Sequence, residues 1–273
     1  KGIDFIICDH HLPDENLPRA LAILNPKQPG CQYPYKELSG CGVGFKLIQA
    51  LAKQLQLEEY RVPSYLDLVA VSTCSDIVPL TGENRTLVYF GLQLINREPR
   101  PGIQAIRKFA SLEREFTVED VVFIIGPRIN AAGRIQHGEG AVKLLLSLPG
   151  DPEIPQLLQQ LNDNNTARRE LDKKITEHAL QIIQENEFFY QSSSTVLFHP
   201  AWHKGVVGIV ASRVIEHHYK PTIILTESNG KATGSARSVK GFDVHAAIEA
   251  CADLLDNFGG HMHAAGVTMP LEN

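Results

Sequence analysis

Three consecutive residues, Asp9-His10-His11, place a carboxylate and two imidazoles within one short stretch of chain. That donor set suits Mn²⁺, Mg²⁺ or Fe²⁺ better than Ca²⁺, which prefers oxygen ligands alone. The same residues also make an ordinary turn after a strand, and by themselves they leave both readings open. Asp76 follows an apolar stretch and precedes Ile77-Val78-Pro79-Leu80. An acid at such a place is either a cap or a ligand. Residues 126–134, GPRINAAGR, gather Arg128, Asn130 and Arg134 beside two glycines. Guanidinium groups grip phosphate oxygens bidentately, and small residues let a ligand approach the backbone. A Gly-rich turn with surface arginines is the alternative.

A second group lies late in the chain. His199-Pro200-Ala201-Trp202-His203-Lys204-Gly205 runs into the helical pattern GVVGIVASR. A helix N-terminus preceded by His and Lys suits an anion; a capped helix with Trp202 in the core is the other reading. Gly234-Ser235-Ala236-Arg237-Ser238 presents one arginine between two hydroxyls, and Gly259-Gly260-His261-Met262-His263 reads as a flexible, His-bearing loop. His261 and His263 have no cysteine or carboxylate partner nearby in sequence, which argues against zinc.

The elements that must position these groups follow from periodicity. Residues 3–8, IDFIIC, read as a strand covered on both faces. Residues 41–57 have helical spacing, with Phe45, Ile48, Ala52 and Leu55 near one face. Helices are expected over 86–96 and 103–112, and a strand over 121–126 (VVFIIG). Periodicity leaves 65–74 open between strand and helix. The stretch 153–187 predicts a long helix or helix pair with a polar, exposed middle, as expected of an inter-domain connector. Strands at 194–199 and 222–226 flank a helix over 205–218, and 243–257 predicts another helix, ended by Gly259-Gly260.

Strand–helix alternation of this kind predicts two α/β domains joined by a long connector helix. The first has a mainly parallel sheet, with polar residues collecting at strand ends. The expected boundaries are 1–152, 153–190 and 191–273.

The 273 residues are 43% hydrophobic and 21% charged, which excludes disorder of the whole chain. A net charge of −5 excludes a globally basic polyanion binder but not a local basic groove. Five widely spaced cysteines without a CxxC pair fit a reducing compartment. No apolar run approaches the ~20 residues that span a bilayer, so a cytoplasmic protein is expected. The chain opens on a strand without Met and stops abruptly, which leads us to expect a piece of a longer protein.

Asp9-His10-His11, Ser75-Asp76-Ile-Val-Pro-Leu, GPRINAAGR, WHKGVVGIVASR, GSARS and GGHMHAAG occur in this order along nearly the whole chain. The ordered set resembles the DHH phosphoesterase superfamily, and within it the RecJ-type single-strand-specific 5′→3′ DNA exonucleases of repair and recombination. The resemblance implies a DHH catalytic domain and a smaller, mixed-sheet DHH-associated domain, with single-stranded DNA threading the cleft between them. It implies two divalent ions, Mn²⁺ or Mg²⁺, that activate water for attack on the phosphodiester. By carry-over His10 and Asp76 are metal ligands, His11 lies at the metal centre and scissile phosphate, and Asp9 orients its neighbours. Arg128, Asn130, Arg134 and His203 contact substrate or brace the cleft. Ser235 and Arg237 hold the 5′ phosphate, Gly259 and Gly260 bind substrate, and His261 lies close to the scissile group.

RecJ-like proteins carry further metal-binding aspartates upstream of DHH and an OB-fold after the DHH-associated domain, and neither lies in these residues. The resemblance therefore implies little activity for the 273-residue chain alone. It also implies partners: single-stranded DNA with a 5′ end, a single-strand-binding protein and a helicase, and no membrane. Two rivals follow: a DHH phosphodiesterase of short oligoribonucleotides or cyclic dinucleotides, and a non-catalytic DHH scaffold.

Overall fold

The computed structural model describes residues 2–13, 16–57, 59–76 and 78–273, with Glu59 and Tyr60 as backbone only. Ile77 of the Asp76 motif lies outside the described residues. The chain divides into two compact units, Lys1–Asn130 with Gly138–Asn162, and Ala131–His137 with Asp163–Asn273. A parallel sheet in the first and a mixed sheet in the second give the α/β architecture expected from the alternation of elements.

In the first unit β1 (Ile6–Cys8) pairs in parallel with β2 (Ala22–Leu24), in the register Ile6↔Ala22 to Cys8↔Leu24. The strand lies where the apolar run predicts it, but Phe5 and Ile6 are exposed rather than covered on both faces. Among the described residues β1 has β2 as its one strand neighbour, and α1 (Gly40–Gln54) packs on it. Ser39 caps α1 by accepting from the Gly42 amide at 3.1 Å, and it bonds the Thr73 hydroxyl at 2.9 Å. Val43, Phe45 and Ala52 of α1 turn inward, while Ile48 and Leu55 stay exposed.

Residues 66–75 form a helix, α2 (Leu66–Ser75), not a strand. Val69, Ala70, Val71, Thr73 and Cys74 are buried around its circumference, as in a helix enclosed on all sides. Its one acid in the first turn, Asp67, pairs with Arg100 at 2.5 Å. On α3 (Gly82–Arg97) a Cβ at Gly91 would stand 2.2 Å from the Leu66 carbonyl oxygen. Gly91→Ala should therefore lower stability by about 1–3 kcal/mol. Gly44→Ala in α1, where nothing lies within 4 Å, should be neutral or stabilising by about 0.5–1 kcal/mol. Equal melting shifts for the two variants would contradict the close α2–α3 approach.

The helix α4 spans Pro101–Phe109. VVFIIG is not a strand: α5 (Val118–Asp120) runs through a π-helical turn (Val121–Ile125) into α6 (Gly126–Ile135). A capping box decides this locally. Thr117 accepts from the Asp120 amide, and the Asp120 carboxylate accepts from the Thr117 amide. Burial of Val121 and Ile125, with Phe123 70% exposed, then makes the run one-sided. Arg114 donates both Nη groups to Asp120. These bonds, more than the opposing effect of burial, hold the Asp120 carboxyl far below the ordinary carboxylate range. A depressed folded-state pKa adds stability above the unfolded value and loses it as pH falls. Asp120→Asn should thus be less stable than wild type at neutral pH, with the difference narrowing below about pH 4. Denaturant midpoints at several pH values would check it; a difference independent of pH would refute it.

Next come α7 (Glu139–Leu146) and a single helix, α8 (Ile154–Glu185), within which the boundary between the units falls. Its middle is not exposed all round as expected, since Asn162 and Asn164 are buried there. A short α9 (Glu187–Gln191) follows. The second unit holds five strands in the order β3-β4-β5-β7-β6: β3 (Thr195–Phe198), β4 (Thr222–Ser228), β5 (Lys231–Arg237), β6 (Asn257–His261) and β7 (Ala264–Met269). β3 and β4 are parallel and the remaining pairs antiparallel. One core joins Ile175, Ala179 and Ile183 of α8 to Leu197, Trp202 and α10 (Val207–His217). A second core joins Ala236, Ala265 and Val267 to α11 (Val244–Glu249). α11 is shorter than expected, and Gly259-Gly260 lie inside β6 rather than in a loop. No described helix is long and apolar enough to cross a membrane.

Candidate metal centre and anion cradle

The β1–β2 ladder ends with the Asp9 amide on the Leu24 carbonyl at 3.0 Å, and the chain then turns through His10 and His11. Asp9 Oδ1 makes that turn. It accepts from the His10 amide at 2.7 Å, the His11 amide at 3.3 Å and His11 Nδ1 at 2.8 Å. Burial alone would raise the Asp9 carboxyl, yet these bonds and the His11 charge hold it below its usual value. With Nδ1–H given to Asp9, His11 keeps Nε2 for another partner. Ligating atoms of Asp9, His10 and His11 lie within 4.8 Å of one another.

His10 reaches across to Asp76, with Nε2 3.1 Å from Oδ2. Partial burial lowers the His10 pKa and outweighs the pull of Asp76. The neutral imidazole so favoured is the form that binds metals. Asp76 does not end a strand: it is the C-cap residue of α2, its amide bonded to the Ser72 carbonyl at 3.0 Å. A carboxylate at the negative end of a helix is unfavourable by itself, and a nearby cation offsets that cost. Imidazole and carboxylate donors of this kind fit Mn²⁺ or Mg²⁺: His10 and Asp76 could hold such an ion, with Asp9 bracing the turn that carries His10 and His11.

Sequence reasoning passed over Asn25, which the Asn-Pro dipeptide marks only as a turn. It is buried, donates Nδ2 to the His11 carbonyl at 2.8 Å, and accepts the Lys27 amide at 2.9 Å. Arg128 and Asn130 also lie in this unit. Arg128 donates to Asn162 Oδ1 at 2.7 Å and to the Ile124 carbonyl at 2.6 Å, and it lies over the Phe109 ring. Arg128 thus ties α6 to α8. Asn130 is exposed.

The second unit assembles the rest. Register puts Arg237, Ala264 and His261 in one row across β5, β7 and β6, and Ser235, Gly266 and Gly259 in another row. The two rows share a sheet face because they are two residues apart. Gly260, at φ 148°, is a position only glycine fits, since a Cβ there would meet the Ala264 carbonyl at 2.2 Å. His261 Nδ1 accepts the His263 amide at 3.2 Å.

Arg237 donates Nη1 to Ser235 Oγ at 2.6 Å and to the Ala236 carbonyl at 2.8 Å. At Gly208, in the first turn of α10, a Cβ would lie 3.0 Å from Arg237 Nη2 and 3.2 Å from Ser235 Oγ. The N-cap Val206 offers that helix no side-chain acceptor. His203 shapes the turn before it, its Nδ1 accepting the Gly205 amide at 3.1 Å. Gly205 is needed there, because a Cβ would stand 2.0 Å from the Arg134 carbonyl oxygen. Arg134 Nη1 in turn donates to the Gly205 carbonyl at 3.3 Å. Burial first, then the Arg134 cation, lower the Arg237 pKa. No described carboxylate pairs with Arg237 or Arg134. Two arginines beside a helix N-terminus that lacks a side-chain cap are a grouping that could hold an anion.

The DHH family N-terminal domain matches residues 1–73, and the DHHA1 domain matches 188–273. A single-stranded-DNA-specific exonuclease RecJ of Bacillus subtilis is 40% identical over 100% of this chain and 34% of its own length. The RecJ of Escherichia coli is 36% identical over 98% of this chain and 49% of its own. The chain thus spans a third to a half of these relatives. A crystal structure of Thermus thermophilus RecJ with Mn²⁺ superposes with a TM-score of 0.83 at 33% identity, covering 98% of this chain and 39% of that one. A further RecJ structure bound to manganese gives 0.78 at 33% identity, covering 98% and 66%.

Proposed function

We propose that this chain, which belongs to the DHH family and is homologous to RecJ over its whole length, forms the metal-holding and end-binding part of a metal-dependent exonuclease that degrades single-stranded DNA from the 5′ end. The observation that carries the reading is the 3.1 Å approach of His10 to Asp76, two ligand-type residues 66 positions apart, beside the braced His11. In this reading residues 1–152 belong to the catalytic domain, 153–190 to the connecting helix and 191–273 to the substrate-binding domain.

Bound Mn²⁺ or Mg²⁺ supplies Lewis-acid stabilisation and an activated water. The chain's own residues do the rest. Asp9 locks the His11 tautomer, so that Nε2 is the nitrogen left to meet a phosphate oxygen or carry a proton. Ser235, Arg237 and Arg134, with the amides of α10, hold a terminal phosphate, and His261 stands on the same sheet face as Arg237. Gly259 and Gly260 keep the neighbouring strand close and slim. Arg128 and Asn130 are the proposed contacts on α6, and His203 supports the cradle turn. Five free cysteines fit work in a reducing cytoplasm. A single-strand-binding protein and a helicase are the proposed partners, as suppliers of unpaired strand in repair and recombination.

The test compares the full-length protein with Mn²⁺ on long 5′-phosphorylated single-stranded DNA, on dinucleotides and on cyclic dinucleotides. Faster release from the long strand supports the proposal. Preference for dinucleotides overturns it in favour of a short-substrate phosphodiesterase, and no hydrolysis at all favours a scaffold.

A further inference from the structure

We infer that Asn25 is a positioning residue for the metal centre, acting through the main chain of the DHH turn; this rests on the metal-dependent reading above. The ladder between β1 and β2 stops at the Asp9 amide, so the next residues have no sheet to hold them. Asp9 braces the turn from inside, through three bonds to one oxygen. From outside, Asn25 Nδ2 holds the His11 carbonyl at 2.8 Å. Asn25 is itself fixed, since its Oδ1 accepts the Lys27 amide at 2.9 Å and its carbonyl accepts the Gln28 amide at 3.1 Å. Its side chain is therefore spent at both ends, with only 6% of the residue exposed. Without the clasp, residues 10–12 can rotate about the Asp9 brace, and His10 Nε2 no longer keeps its place against Asp76. Groups that orient ligands in this way typically control about 10–100-fold in metal affinity.

Two variants separate this role from the local turn. Asn25→Ala removes both bonds. Asn25→Ser keeps a hydroxyl that can accept the Lys27 amide, but it is too short to reach His11. In the full-length protein, Mn²⁺ binding followed by the EPR signal of free ion should weaken about 10–100-fold in both variants. The metal-free melting temperature of Asn25→Ser should stay near wild type, and its KM for DNA should hold while more Mn²⁺ is needed for activation. Mn²⁺ affinity of Asn25→Ser within threefold of wild type would overturn the inference. So would a loss of affinity matched by loss of the folded state in both variants, since that is a merely structural role. If wild type itself fails to bind Mn²⁺, the metal-dependent reading falls, and the inference falls with it.

Discussion

Asp76→Asn in the full-length protein should slow nucleotide release by about 10³-fold at saturating Mn²⁺, roughly 4 kcal/mol in the barrier. The amide is nearly isosteric with the carboxylate and can still meet His10 Nε2, so the packing around α2 is kept. What it removes is the negative charge needed by a cation. The sign of the stability change makes this test specific. Asp76 caps the C-terminus of α2, where a negative charge opposes the helix dipole. Neutralising it should leave the metal-free protein as stable as wild type, or more stable by about 0.3–1 kcal/mol. A residue kept for folding would lose stability together with activity. One kept for metal should lose activity while the melting temperature holds or rises. His10→Ala should be similarly inactive but less stable, because its ring is mostly buried and packs within reach of Gly40. Activity of Asp76→Asn within tenfold of wild type would remove the metal centre from this place.

The second large effect belongs to the anion cradle. Arg237→Ala should cut kcat/KM on 5′-phosphorylated strands by about 10²-fold, in the range for losing one member of a buried charge-assisted contact. On 5′-hydroxyl strands the change should stay within about threefold, so that the preference between the two ends disappears. Arg237 also bonds the sheet, so Gly208→Ala is the companion variant. Its methyl would project between Arg237 Nη2 and Ser235 Oγ without deleting either donor. It should reduce the 5′-phosphate preference as well, while leaving the fold intact. Equal losses on both kinds of end would show that Arg237 supports the sheet and does not read the terminus.

Much of this was legible in the linear order of residues. Ligand types at 9–11 and 76, hydroxyl-flanked Arg237, and the alternation of apolar runs depend on composition and local period, which any stretch of chain carries with it. VVFIIG, expected as a strand, and the 66–75 run, which periodicity left open, are both rich in β-branched and apolar residues, which favour strands only when a pleated neighbour is available. The Thr117–Asp120 capping box and the close approach of α3 at Gly91 made both helical. Gly259-Gly260 looked like loop, yet ladder bonds to β7 made it strand. The middle of α8 looked exposed because it is polar, yet Asn162 there is buried by its bond to Arg128.

The amino-acid sequence by itself determined which chemical groups this protein owns, the α/β class and the ordered motif set that resembles the DHH phosphoesterases. Only the tertiary structure decided that His10 meets Asp76 at the end of a helix, that Asn25 clasps the His11 carbonyl, and that Arg237 and His261 share a row. Those pairings join residues 14 to 66 positions apart. Such meetings are set by strand register, by the Ser39–Thr73 tie and by glycine-permitted helix contact, and no local period encodes any of these.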